Sequence, residues 1–321
     1  MDINQISIVV PVYNEAESLP LLNEAIHQAL SPMEIPWEVI FVDDGSVDDS
    51  LAVLEKLAAD DLQHLRVISF RRNFGQTAAI VAGIDHSQGD VILFMDADLQ
   101  NDPADIPMLL EKIDQGYDVV SGWRVNRQDA FFTRTLPSRI ANWLISTVTG
   151  VRLHDYGCTL KAYRKEVLSN INLYGEMHRF IPAYAYSVGA NIAEVPVRHH
   201  PRRFGKAKYG LGRTLKVVLD LFTVKFLMSY ANKPIYLFGG AGIGFITVSV
   251  ITLIVLVIRR ILYNEHLIRS PLLQLTTMLF IIGVLSILLG FVAELLTRTY
   301  HESQHKPIYT IRKEINGRKP E

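Results

Sequence analysis

A chain of 321 residues, 49% of them hydrophobic, has ample material for a core, and its formal net charge of -1 by itself suggests no nucleic-acid partner. The one cysteine, Cys158, excludes an intramolecular disulfide framework and a thiolate-rich zinc centre. The net charge hides an asymmetry: residues 1 to 120 carry 5 Lys and Arg against 22 Asp and Glu, whereas residues 121 to 233 carry 18 against 6.

The first residues are polar and lead straight into a strand pattern, with no basic stretch ahead of an apolar run, so no secretory leader is expected. Five short apolar, β-branched runs follow, at Ile6 to Pro11, Trp37 to Asp43, Leu65 to Phe70, Val91 to Met95 and Asp118 to Trp123. Helical patterns separate them, at about Ser18 to Leu30, Asp49 to Leu62, Gln76 to Ser87 and Asp105 to Gln115. This alternation predicts an α/β fold with a mainly parallel sheet, helices on both faces and ligands outside the carboxyl ends of the strands. The polar residues that follow the strands are therefore the ones that matter. Pro11, Tyr13, Asn14 and Glu15 follow the first, Asp43, Asp44, Gly45 and Ser46 the second, and Asp96, Asp98 and Gln100 the fourth. Carboxylates gathered on one sheet edge repel one another unless a cation sits among them, and a hard divalent ion suits oxygen ligands. On extended backbone Asp96, Asp98 and Gln100 would share one face. Asp48 and Asp49 read as caps of the next helix. Neither a Walker glycine loop nor a G-x-G-x-x-G occurs.

Past the fifth strand the chain turns basic. Arg124, Arg127 and Arg139 come first, then Asp155 in a loop-like Asp-Tyr-Gly-Cys ahead of an apparent strand, Thr159 to Tyr163. Cys158 reads as a small buried residue. His178, His199 and His200 lack metal-ligand spacing and read as surface or loop residues. Arg203, Lys206 and Lys208 precede a stretch, Leu211 to Tyr230, where Arg213, Lys216 and Lys225 recur among apolar residues. That stretch fits an amphipathic helix, either at a membrane interface or packed on the soluble domain. Pro234 to Ile258 and Leu272 to Leu296 are apolar runs of about 25 residues, against roughly 20 needed to span hydrocarbon, so two transmembrane helices are expected. Three arginines lie in the short connection, but nine Lys and Arg lie between Arg198 and Lys233 and six follow Leu296. The positive-inside tendency then places both termini in the cytoplasm, at the cell (inner) membrane. Gly239, Gly240, Gly242 and Gly244 permit close helix packing and a possible homo-oligomer. A basic block running into two spans points to a lipid bilayer and to phosphate groups, not to nucleic acid. The expected organisation is a catalytic domain over 1–209, a juxtamembrane helix over 210–233, a transmembrane hairpin over 234–297 and a cytoplasmic tail over 298–321.

Pro-Val-Tyr-Asn-Glu (11 to 15), Asp-Asp-Gly-Ser (43 to 46) and Asp-Ala-Asp-Leu-Gln (96 to 100) resemble the family 2 inverting glycosyltransferases of the GT-A fold, over Ile6 to about Tyr209. Asn73-Phe74-Gly75-Gln76, Asp155-Tyr156-Gly157-Cys158 and Arg203-Phe204-Gly205-Lys206-Ala207-Lys208-Tyr209, with two spans after them, are similar to the polyprenyl-phosphate glycosyltransferases. The resemblance implies a nucleotide-sugar donor, with UDP-glucose the expected one, and a polyprenyl phosphate acceptor. It places Pro11, Tyr13, Glu15 and Asp44 around the nucleoside, Asp96 near ribose and metal, and Asp98 and Gln100 on Mg²⁺ or Mn²⁺ at the diphosphate. Asp155 would face the reaction centre as a base or as an orienting group.

A departing diphosphate needs a Lewis acid, whereas a lipid phosphate acceptor is already largely anionic at neutral pH and needs cations more than a strong base. Arg124, Arg139 and Arg203 are the candidates to hold that phosphate, with Lys208 on the diphosphate. A processive polysaccharide synthase fits less well, because its usual Gln-x-x-Arg-Trp motif is absent and it needs more spans. A catalytically silent nucleotide-sugar-binding scaffold would have no need of the complete carboxylate set.

Overall fold

The computed structural model describes residues 3–125, 142, 145–147, 149–169, 173, 177–204, 235–263, 271–303 and 309–317. The apolar runs become strands of one eight-stranded sheet. Its first half alternates strictly: β1 (Ile6–Val12), α1 (Leu19–Leu30), β2 (Trp37–Asp43), α2 (Ser50–Asp60), β3 (Leu65–Phe70), α3 (Gln76–His86), β4 (Val91–Phe94), α4 (Ile106–Asp114) and β5 (Val119–Arg124). Then come β6 (Lys161–Arg164), α5 (Lys165–Leu168), α6 (Ile181–Ser187) and β7 (Ile192–Val197). Two long helices, α7 (Ile235–Tyr263) and α8 (Pro271–Ser303), precede β8 (Ile311–Ile315).

The strand order is β7-β5-β6-β4-β1-β2-β3-β8. β1 pairs in parallel with β2 and β4, β2 with β3, and β5 with β7. β6 is wedged between β4 and β5 and runs antiparallel to both, and β8 closes the far edge antiparallel to β3. The sheet is thus the mainly parallel one expected, with two reversed strands. Alternation along β1 explains its two covered faces. Ile6, Ile8, Val10 and Val12 join one core cluster with Leu19, Leu22 and Ile26 of α1, Leu54 of α2 and Leu109 of α4. Val9 points the other way, where Gly83 lets α3 close in: a Cβ there would lie 2.8 Å from Val9 Cγ2.

The chain divides into two compact units, Met1–Val224 with Pro307–Glu321, and Lys225–Lys306. The first therefore includes β8, from a segment expected to be a tail. In the second, α7 and α8 pack along one another, and each contains a stretch apolar and long enough to cross a bilayer, Leu237–Leu262 and Pro271–Ala293. Large apolar side chains such as Ile243, Ile251, Leu285 and Phe291 are more than half exposed, the opposite of a soluble core helix. Gly242 and Gly283 bring the two backbones together: a Cβ on Gly242 would stand 2.6 Å from the Gly283 carbonyl oxygen. Ser249 Oγ donates to the Thr276 carbonyl at 2.8 Å across the pair. Of the expected small-residue surface, Gly242 is used within the pair, while Gly240 and Gly244 meet nothing within 4 Å. The expected juxtamembrane helix at 210–233 lies outside the described residues.

Candidate active site

The loops at the carboxyl ends of β1 and β2 are tied to each other. Asn14, held at φ 54°, accepts the Val47 N–H on its side chain at 2.9 Å, while its own N–H donates to Ser46 Oγ at 2.9 Å. Gly45 adopts φ 68°, and a Cβ there would lie 2.7 Å from the Asn73 nitrogen, so the β2 loop presses on the chain leaving β3 in a way only glycine permits. Asp48, rather than the cap residue Asp49, makes the local bonds, accepting from the N–H groups of Ser50 and Ala16. Between the loops lies a cleft of about 380 Å³ lined by Tyr13, Asp43, Ser69, Arg71, Arg72 and Arg312, among others. Asp43, not the expected Asp44, lines it. Asp44 instead accepts the N–H groups of Phe74 and Gly75, at 2.6 and 2.9 Å, and so fixes the Asn73-Phe74-Gly75-Gln76 loop. Burial pushes its carboxyl up to about 6. Pro11 is inside β1, opposite Val42.

The Asp-x-Asp follows β4, but not on extended backbone. Leu99 has φ 60°, and the Gln100 N–H turns back to Asp98 Oδ1 at 3.2 Å. The same-face argument therefore fails for Asp98 and Gln100: a turn, not a strand, presents them. Leu99 tolerates the left-handed conformation because its side chain packs against the core. Asp96 is clamped on both oxygens, by Gln76 Nε2 at 2.9 Å and by Thr159 Oγ1 at 2.5 Å. Neither partner was expected: Gln76 closes the Asn73-Phe74-Gly75-Gln76 motif, and Thr159 directly follows Cys158. Asp98 is raised to about 6, first by burial and then by the negative charge of Asp96, with Glu15 adding to it. Its charged form is under-compensated, as in a site built for a cation. Two carboxylates that leave the remaining positions to phosphate oxygens and water match the habit of Mg²⁺. Asp98 and Asp96 fit that role; Gln100 contributes its backbone to the turn, and its Nε2 reaches the His200 carbonyl at 3.5 Å.

Across from Asp98 stands Arg202, a residue sequence reasoning passed over for its neighbour. Its Nη2 lies 2.6 Å from Glu15 Oε1 and 3.7 Å from Asp98 Oδ2. The segment leaving β7 brings it there: Arg198 pairs with Asp102 and Asp105, and the His200 N–H donates to the Gln100 carbonyl at 2.9 Å. Arg203 is exposed beside it. Arg124 is not directed outward to a ligand: it holds the buried Asp155 in a two-point ion pair, Nε to Oδ2 at 2.7 Å and Nη2 to Oδ1 at 3.0 Å. Glu194 accepts the backbone N–H groups of His154 and Asp155, and the buried Lys161 donates to the Tyr156 and Cys158 carbonyls, so the whole loop is pinned. Burial drives the Lys161 amine below its ordinary value. Cys158 is buried as expected, and burial raises its thiol. His178 is buried too, within 2.9 Å of Thr77 Oγ1 in a short 3-10 turn over Met177–Phe180, rather than the surface or loop residue expected. Arg127, Arg139, Lys206 and Lys208 lie outside the described residues.

A mainly parallel sheet of the GT-A type, with an Asp-x-Asp turn and a cleft at its carboxyl edge, is the architecture of a glycosyltransferase. The family model for Glycosyl transferase family 2 matches residues 7–171, and the chain belongs to that family. The chain is 41% identical over 311 residues to a dodecaprenyl-phosphate galacturonate synthase of Rhizobium johnstonii, covering 96% of this chain and 92% of the relative. It is 38% identical over 317 residues to an undecaprenyl-phosphate 4-deoxy-4-formamido-L-arabinose transferase of an Enterobacter species, covering 98% and 94%. Among solved structures, glucosyl-3-phosphoglycerate synthase from Mycobacterium tuberculosis with Mn²⁺ and UDP-glucose shares the fold, with TM-score 0.53 at 18% identity over 69% of this chain and 79% of that one.

Proposed function

We propose that this enzyme transfers a sugar from a UDP-sugar to a polyprenyl phosphate at the membrane, inverting the anomeric carbon. The observation that carries the reading is the meeting of Asp96, Asp98, Glu15 and Arg202 at the strand ends. The cleft beside β1 and β2 takes the nucleoside, with Tyr13 and Asp43 against the base and ribose and the Arg71, Arg72 and Arg312 guanidinium groups around it. A divalent ion, Mg²⁺ or Mn²⁺, held by Asp98 and Asp96, would supply Lewis-acid stabilisation of the departing diphosphate. The acceptor phosphate oxygen forms the new bond to the anomeric carbon as the bond to the diphosphate breaks, and that bond's electron pair leaves with the diphosphate. The acceptor arrives anionic, so no side chain has to remove a proton. Asp155, locked by Arg124, then orients the loop before β6 rather than acting as a base. Arg202 and the exposed Arg203 are the described cations best suited to phosphate, and Arg139 and Lys208 remain proposals from sequence.

Both named relatives use lipid phosphates in their names but differ in sugar, galacturonate against formamido-arabinose, so UDP-glucose is one of several donors to compare. The pairing of β8 with β3 supports a hairpin topology, because residues before α7 and after α8 share one sheet. The basic flanks of the pair favour a cytoplasmic position for both of its ends. The test incubates purified protein with polyprenyl phosphate, Mg²⁺ and a panel of UDP- and GDP-sugars, including glucose, galacturonate and formamido-arabinose donors, and follows lipid-linked sugar. No product from any donor would sink the proposal.

A further inference from the structure

At the amino end of the sheet, opposite the carboxylates, three side chains from three elements converge. His27 is in the last turn of α1, Asp61 follows α2, and His64 immediately precedes β3. His27 Nε2 lies 3.0 Å from Asp61 Oδ2, His64 Nδ1 lies 3.1 Å from Asp61 Oδ1, and the donor atoms of all three fall within 4.8 Å of one another. Asp61 Oδ2 is buried and accepts no hydrogen bond, even with the His27 nitrogen so near. His64 Nδ1 is within hydrogen-bond distance of Asp61 Oδ1, and the His27–Asp61 spacing is close to that of tetrahedral ligands, which at about 2.0 Å from a metal stand about 3.3 Å apart.

The surroundings fix the positions of these groups. Asp61 Oδ1 accepts the backbone N–H groups of Gln63 and His64, at 3.2 and 3.0 Å, which fixes the carboxylate. The Trp37 ring stacks on His64, centroids 4.1 Å apart, and meets His27 edge-on at 4.9 Å, so one indole orients both imidazoles and forms an apolar wall. The side chains of His27, His64 and Asp61 keep 32%, 26% and 17% of their surface exposed, which leaves a route of entry and room for water to complete the shell. Two imidazoles and one carboxylate suit a borderline ion of the zinc class rather than the hard ions suited to Asp96 and Asp98.

We infer that His27, Asp61 and His64 form a second divalent-metal site that takes zinc-class ions and clamps the ends of α1 and α2 to the start of β3. The test uses full-length protein in detergent, loaded with Zn²⁺, dialysed and assayed for metal by mass spectrometry, beside His27→Gln and the double variant His27→Gln/His64→Gln. Wild type is expected to retain one more zinc per chain than the double variant, and His27→Gln to bind Zn²⁺ at least tenfold more weakly while keeping Mg²⁺-supported transfer. Asp98→Asn is expected to keep the extra zinc, which separates this site from the catalytic one. Cu²⁺ should quench tryptophan fluorescence at a lower concentration in wild type than in His27→Gln. Equal zinc in wild type and variants, or none in any, overturns the inference. If the double variant fails to fold, the affinity of His27→Gln decides.

Discussion

Asp98→Asn should abolish sugar transfer and at the same time stabilise the protein in the absence of divalent ions. The carboxyl sits at about 6 instead of 3.8, because burial and the charge of Asp96 oppose its ionisation. Between those values the native state binds more protons than the unfolded chain, so stability falls as pH rises through that window and the full cost stands at pH 7. At about 1.4 kcal/mol for each tenfold of proton affinity, that cost is about 3 kcal/mol. Asparagine removes it, keeps an oxygen for the Gln100 N–H, and leaves Arg202 its 2.6 Å partner Glu15. For a domain of this size about 3 kcal/mol corresponds to a rise in Tm of roughly 6–12 °C. Thermal unfolding of the full chain in detergent with EDTA at pH 7 measures it. The gain should shrink at pH 5, where wild type is protonated, and Mg²⁺ should stabilise wild type but not the variant. Asp44, also raised to about 6, gives both proteins a further component of the same sign. A lower Tm for Asp98→Asn in EDTA, or equal stabilisation of both proteins by Mg²⁺, would refute the reasoning.

Arg124→Met takes the guanidinium away from the buried Asp155 carboxylate and should cost about 3–5 kcal/mol, whereas the double variant Arg124→Met/Asp155→Leu should recover much of that loss in the same unfolding assay. Arg202→Ala should lower kcat/KM for transfer at least tenfold, and Arg203→Ala far less, in steady-state assays with the preferred donor. Arg312→Ala should raise the donor KM several-fold at unchanged kcat, the pattern of lost ground-state binding.

The strands and helices of the first half were legible because each carries its own period, and β1 to β5 fall within a residue or so of the runs Ile6 to Trp123. The edges were not. β7 contains Pro196, which argues against a central strand but is tolerated at the sheet margin it occupies. β8 reads Ile-Arg-Lys-Glu-Ile, three exposed charges between two half-buried isoleucines, the composition that protects an edge strand and that in a sequence looks like a solvated tail. No local pattern could announce that a segment beyond two apolar helices returns to pair with β3.

The site divides along the same line. Tyr13, Glu15, Asp96 and Asp98 could be singled out in the sequence because they follow strands immediately, and the structure puts them at those strand ends. What each one touches depends on residues far along the chain. Arg202 rather than Arg203 faces Glu15 because Arg198 and His200 are anchored to Asp102, Asp105 and Gln100 roughly a hundred residues earlier. Arg124 and Asp155 are 31 residues apart, and as isolated charges they suggest a phosphate ligand and a base. Brought together in the interior they neutralise one another, and the chemistry each offered alone becomes a means of holding the loop before β6 in place. Charge in this chain is therefore used in two ways: paired within the sheet's edge to fix geometry, and left under-compensated at Asp98, where burial and Asp96 raise the carboxyl.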